Sequence, residues 1–231
     1  MEKPEKESLD FASVIASAVH DMKNSLAILM TAISALEKKY PASDSEDKKQ
    51  QAVLQYESSR LNSALVQLLG LYKIEQKQLP INLNYYNLFE FLSDQAAQYE
   101  PLAKSKDITI DIDAEDDLDG CFDIDLISSV INNVLGNAIR YTKSKILLSA
   151  YFDDALVIEI ADDGTGYPQN MIEQQHNFIK SIDYSTGSTG LGLYFAAKIA
   201  KIHQNDTENG NIELANGGQL NGGIFRIRLP N

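Results

Sequence analysis

A single cysteine, Cys121, is the only thiol in the sequence, so no intrachain disulfide can form, which is compatible with a reducing cytosol. Basic residues are also scarce: 20 Lys and Arg stand against 33 Asp and Glu, a formal net charge of -13. Nucleic acid and anionic membrane surfaces repel such a chain at long range, so neither is expected as a partner. Any phosphate site must then rest on local devices. Long apolar runs are missing too. No stretch approaches the ~18 residues that a membrane helix needs, and Met1-Glu2-Lys3-Pro4 opens charged, unlike a signal peptide. A cytoplasmic chain without a membrane segment is the expectation. With 231 residues, 44% hydrophobic and 23% charged, it is long enough for two modest domains, each with its own core.

The first texture is helical. From Ser8 to Tyr40 the apolar residues Phe11, Ile15, Ala18, Met22, Leu29 and Leu36 recur at steps of three, four or seven, the stripe of one long amphipathic helix. Tyr40-Pro41-Ala42-Ser43 breaks it, and Ser43 with Glu46 has the spacing of a capping box. A second helix carries Leu54, Leu61, Leu65, Leu68 and Tyr72 and must end by Pro80, which cannot donate the next helical hydrogen bond. Two long helices bury little on their own. Pairing with a second hairpin as a four-helix bundle covers both stripes, so a homodimer is expected.

After Pro80 strands and helices alternate, which sets a boundary between residues 1–79 and 80–231 and an α+β class for the whole chain. Expected elements are a strand from Ile81 to Asn84, a helix from Asn87, a strand from Ile108 to Ile112 and a helix after Asp123. Strands from Lys145 to Tyr151 and from Ala155 to Ala161, joined at Asp153-Asp154, form a hairpin and make the sheet mixed. A helix from Tyr194 to His203 follows. Gly217-Gly218 and Gly222-Gly223 then mark turns between the last strands.

Four segments hold residues able to do chemistry. His20 lies off the first helix's apolar stripe, with Asp21 beside it and Asn24 one turn on, although a solvated polar face is the plainer reading of such a pair. In Asn132-Asn133-Val134-Leu135-Gly136-Asn137-Ala138-Ile139-Arg140-Tyr141, helical spacing gathers Asn133, Asn137, Arg140 and Tyr141 on one face. Amide oxygens and a guanidinium suit a Mg²⁺-phosphate assembly; a polar surface or an Asn cap is the rival. Asp162-Asp163-Gly164-Thr165-Gly166 follows an apolar strand, so a carboxylate there can accept from an exocyclic amine, or the segment is simply a turn. Gly187-Ser188-Thr189-Gly190-Leu191-Gly192 opens a helix, where freed backbone amides bind anions, although its spacing matches neither a P-loop nor a dinucleotide fingerprint.

Taken in order, these segments resemble the H, N, G1 and G2 boxes of sensor histidine kinases, whose ATP domain belongs to the gyrase, Hsp90, histidine kinase and MutL group. The resemblance runs from about residue 8 to residue 230. It implies a dimerising helical hairpin, residues 1–79, whose His20 is phosphorylated with help from Asp21, and where Asn24 activates water for a phosphatase reaction. It implies an α/β sandwich, residues 80–231, that binds ATP and Mg²⁺. There Asn137 holds the metal with Asn133 assisting, Arg140 reaches phosphate, Tyr141 lies against adenine and Asp162 receives the adenine amine. Gly164 and Gly166 fall on the G1 glycines, and Gly190 and Gly192 on those of G2. The expected partner is the receiver domain of a response regulator. Fewer than twenty residues precede His20, so input is expected from beyond this sequence or from a separate sensor protein. Tyr167 stands where a small aliphatic residue is usual, Ser188 where glycine is common, and Phe178 is the one phenylalanine between the two glycine boxes, where an F box is usual. Two other functions compete: a phosphotransfer relay whose ATP domain no longer binds nucleotide, and a non-enzymatic adaptor that uses its bundle as a binding surface.

Overall fold

The computed structural model describes residues 11–40, 45–173 and 191–230, which group into two compact units, residues 1–79 and 80–231. Ser43 and Phe178 lie outside the described residues, as do Gly187, Ser188, Thr189 and Gly190.

In the first unit α1 (Phe11–Lys39) packs against α2 (Ser45–Glu75). The line buried between them is Val19, Leu26 and Ile33 at heptad steps, met by Leu71 from α2. This corrects one detail of the sequence reading, because Ala18 and Met22 of the expected stripe are exposed. A second line is left open. Met22, Leu29 and Leu36 on α1 and Leu54, Leu61 and Leu68 on α2 all remain substantially accessible, Leu29 at 52% and Leu61 at 54%.

The second unit is a two-layer sandwich. Its sheet runs β2-β4-β5-β7-β6, made from β2 (Thr109–Asp113), β4 (Lys145–Asp153), β5 (Ala155–Asp162), β6 (Asn211–Gly217) and β7 (Gly222–Leu229). β2 joins β4 in parallel and the other neighbours are antiparallel, so the sheet is mixed. A separate antiparallel pair unites β1 (Asn84–Asn87) with β3 (Asp119–Phe122). The expected strand at Ile81–Asn84 thus begins only at Asn84, because the Asn82 N–H donates to the Asp123 carboxylate at 2.8 Å instead of to a ladder.

Three long helices cover the sheet: α3 (Leu88–Ser105) on β2 and β4, α4 (Ile124–Tyr141) on β5, and α6 (Leu191–Ile202) on β6 and β7; a short α5 (Gln169–Glu173) precedes α6. α4 buries Ile127, Val130, Ile131, Val134, Leu135, Ala138 and Ile139, the three-and-four spacing of a core-facing helix. Both early caps follow the residues that signalled them. Asn87 Oδ1 accepts the Glu90 N–H at 2.8 Å, and Asp123 Oδ1 accepts the Leu126 N–H at 3.0 Å, each satisfying a helix-start donor that would otherwise lack a partner.

Candidate functional site

The site residues of the second unit converge where β5 ends between α4 and α6. β5 delivers Asp162 and Asp163 as adjacent carboxylates, and the two take different work. Asp163 turns toward the loop after α4. Its Oδ1 accepts from the Thr142 hydroxyl at 2.6 Å and the Lys143 N–H at 2.9 Å, and its Oδ2 accepts from the Ser144 hydroxyl at 2.6 Å. Partial burial alone would raise its pKa, but these bonds to the charged form outweigh it and hold the carboxyl well below the usual range. Asp163 is therefore a latch between the end of α4 and the end of β5, a role the sequence did not disclose.

Asp162 faces the glycine turn. Its Oδ1 accepts the N–H of Gly164 at 2.7 Å and that of Gly223, at the start of β7, at 3.2 Å. Among the described residues no donor reaches Oδ2. A methyl group added at Gly223 would lie 2.9 Å from that oxygen, so the glycine keeps it open. Gly164 is pressed against α4 in turn: a Cβ there would sit 2.5 Å from the Tyr141 carbonyl oxygen. Gly166 adopts φ +77°, a left-handed conformation that favours glycine. Next to it the Tyr167 hydroxyl is pushed up in pKa, first by burial and then by the charge of Asp162.

α4 supplies the second wall. Asn133 is half-buried, while Asn137, Arg140 and Tyr141 are exposed, spaced so that one face rises from the core toward solvent. The Arg140 guanidinium lies 5.5 Å from the centroid of the Tyr141 ring. α6 supplies the third wall. Gly192, in its first turn, abuts the Asn133 carboxamide so closely that any Cβ would overlap it. Asn133, Asn137, Arg140, Tyr141, Asp162, Gly164, Gly166 and Gly192 are thus brought to one end of the sandwich, and Gly190 lies outside the described residues. No group of three or more His, Cys, Asp or Glu among the described residues could hold a metal. A divalent ion here would need amide oxygens and ligands that it brings with it.

Sequence reasoning missed Asn216 and His203. Asn216 of β6 bonds the backbone of Tyr167 in both directions, accepting its N–H at 2.7 Å and donating to its carbonyl at 2.8 Å. His203 follows α6 and is 2% exposed. Neither belongs to a local motif, and both act on partners far along the chain.

In the first unit His20 is open to solvent, its side chain 63% accessible. The Asn24 amide nitrogen lies 3.3 Å from its Nδ1, and the nearer carboxylate oxygen of Asp21 lies 3.9 Å from the same atom. Among the described residues no helix is long and apolar enough to cross a membrane.

Residues 122–231 match the family model of the histidine kinase-, DNA gyrase B-, and HSP90-like ATPases. The sensor histidine kinase TmoS of Ectopseudomonas mendocina is 22% identical over 223 residues, 93% of this chain and 22% of that protein. The adaptive-response sensory kinase SasA of Rippkaea orientalis is 28% identical over 203 residues, 82% of this chain and 51% of that protein. The chain therefore spans from about a fifth to about half the length of these relatives. The crystal structure of full-length ShkA in complex with AMPPNP superposes over 95% of this chain and 46% of its own, with a TM-score of 0.67 at 20% identity, a likeness of fold. A helical hairpin followed by this sandwich is thus the fold that this chain shares with the histidine kinase ShkA, and residues 122–231 are similar to the histidine kinase-, DNA gyrase B-, and HSP90-like ATPases.

Proposed function

We propose that this chain is the kinase core of a two-component system, which phosphorylates His20 from Mg²⁺-ATP as a homodimer in the cytoplasm and passes the phosphoryl group to an aspartate of a response regulator. The observation that carries the nucleotide part is Asp162. One carboxylate oxygen is saturated by two backbone donors and the other is open, which suits one exocyclic amine donor such as that of adenine. The triphosphate then extends toward α4 and the start of α6. There Arg140 would offer a bidentate phosphate contact, Asn137 and Asn133 would offer amide oxygens to Mg²⁺, and Gly192, in the first turn of α6, would leave backbone amides accessible. Mg²⁺ supplies charge neutralisation when bound. Tyr141, half exposed beside Arg140, would lie along the base.

At the acceptor, Asp21 and Asn24 compete for His20 Nδ1. When Asp21 accepts an Nδ1 proton, Nε2 carries the free lone pair. That pair attacks the γ-phosphorus, the bond from phosphorus to the β,γ-bridging oxygen breaks, and ADP leaves with those electrons. Asn24, one turn away, then serves to orient a water against the phosphorylated regulator. The open Leu29 and Leu61 lines supply the dimer seam.

The experiment is incubation of the protein with γ-labelled ATP, with and without Mg²⁺, and with His20→Gln as control. Acid-labile, base-stable label that needs both Mg²⁺ and His20 is expected. A protein that binds no nucleotide at millimolar concentration, yet takes label on His20 from a phosphorylated receiver, would instead be a relay.

A further inference from the structure

We propose that Asn216 is a positioning residue for the base end of the nucleotide site, acting through Tyr167; the inference rests on the nucleotide reading above. The glycine turn after β5 presents the open oxygen of Asp162; Asp163 latches its start to the loop after α4, but its two glycines contribute no side chain to hold the part that leads to Tyr167. The restraint comes from the β6–β7 hairpin at two points. At the first, the Gly223 N–H donates to Asp162 Oδ1 at 3.2 Å. At the second, the Asn216 carboxamide pairs with both the N–H and the carbonyl of Tyr167, at 2.7 and 2.8 Å, as a neighbouring strand would.

The pairing also explains the glycine between them. A Cβ on Gly166 would lie 2.5 Å from Asn216 Oδ1, so Gly166 has both the left-handed φ and the bare surface that let the amide approach. Tyr167 is held so that its ring borders Gly223, where an added Cβ would be 3.2 Å from the ring edge. A large residue at 167 and no side chain at 223 are thus complementary. The hydrogen bonds of the Asn216 side chain go to the Tyr167 backbone and not to the Asp162 carboxylate. Its effect on a ligand therefore runs through the turn.

The test uses the full chain, with Asn216→Ala and, as a control on the same strand, Asn211→Ala. Without nucleotide, amide exchange at Tyr167 is expected to accelerate by at least about tenfold in Asn216→Ala, because that N–H loses its acceptor, and to stay unchanged in Asn211→Ala. Calorimetry should then show adenosine, ADP and ATP all weakened by the same factor, about five- to tenfold, with or without Mg²⁺, since the clamp acts at the end they share. A loss confined to Mg²⁺-ATP, an equal loss in Asn211→Ala, or faster exchange with unchanged affinity overturns the proposal. If Asn216→Ala does not fold, Asn216→Asp keeps the acceptor for the Tyr167 N–H and removes the donor to its carbonyl. Uncharged adenosine should then bind more weakly than to the unmodified protein, and equal binding overturns the proposal. Unmodified protein that binds none of the three ligands overturns the nucleotide reading and this one with it, and that failure is recognised because it precedes any substitution.

Discussion

His203 Nε2 accepts the backbone N–H of Asp123 at 3.1 Å, while Nδ1 lies 2.8 Å from the Ile199 carbonyl, so the buried ring bridges the end of α6 and the residue that caps α4. The other end of α6 is held where Gly192 meets Asn133. The two helices that frame the site are therefore fixed to each other at both ends of α6. Accepting from one N–H and donating to one carbonyl defines a neutral, Nδ1-protonated imidazole.

A pH dependence follows. Burial lowers the His203 pKa, opposed by the Ile199 carbonyl and the Asp123 charge. With the folded value below the unfolded one of about 6.5, the unfolded chain binds more protons between them. Stability should accordingly fall as pH drops below about 6.5 and be fully present above it. Chemical unfolding from pH 8 to 5, followed in the native protein and in His203→Leu, checks this. The variant should lose the His203 share of the slope and about 2 to 4 kcal/mol of stability, because the Asp123 N–H is left without its acceptor.

The two glycines that face α4 should respond differently to alanine. At Gly164 the obstacle is the Tyr141 carbonyl, part of a helix backbone that cannot yield, so Gly164→Ala should cost about 1 to 3 kcal/mol of folding stability. At Gly192 the obstacle is the Asn133 side chain, which can rotate. Gly192→Ala should then melt close to the native protein but bind Mg²⁺-ATP more weakly, because Asn133 has moved. Calorimetric melting with parallel nucleotide titrations distinguishes the two.

Asn137→Ala and Asp162→Asn should separate the two ends of the ligand. Loss of the Asn137 oxygen should weaken ATP in Mg²⁺ and leave adenosine unaffected. Asp162→Asn keeps the shape but exchanges a charged acceptor for an amide, which should weaken ATP, ADP and adenosine alike by about 1 to 2 kcal/mol. Isothermal titration of all three ligands with and without Mg²⁺ shows which pattern each variant follows. Equal losses for every ligand in Asn137→Ala would overturn the metal role of Asn137, and a loss confined to Mg²⁺-ATP in Asp162→Asn would overturn the adenine role of Asp162.

For the hairpin, Leu29→Glu combined with Leu61→Glu should give a monomer, because these side chains are half exposed within one chain and would place four carboxylates in a shared seam. Light scattering after size exclusion at micromolar concentration reads the mass directly. A dimer that survives both changes would place the interface elsewhere.

What the sequence disclosed and what it hid divide along physical lines. The helix starts at Asn87 and Asp123 were legible because the capping side chain and the donor it serves lie three residues apart. The face of α4 was legible for the same reason, since helical spacing is local. β3 was not, because its four residues Asp119–Phe122 are too few to show an alternation and exist as a strand only through pairing with β1. The choice of Val19 over Ala18 for the hairpin core depends on the rotation of α1 against α2, which a mixed apolar stripe leaves open. The division of labour between Asp162 and Asp163 was hidden because two adjacent aspartates look alike until the loop 142–144 closes on one of them. Asn216 and Tyr167, 49 positions apart, carry no pattern at all.

The two open leucine lines of the hairpin also bear on how the chain loses its structure. An element whose apolar stripe is completed by a second copy obeys mass action, so its melting point should climb with protein concentration, whereas a sandwich that buries Ile127, Phe225 and Leu156 within one chain should melt at a fixed temperature. Heating one polypeptide at two concentrations should therefore move one transition and leave the other in place, and a cell that makes little of the protein would hold intact sandwiches joined to helices still waiting for a partner.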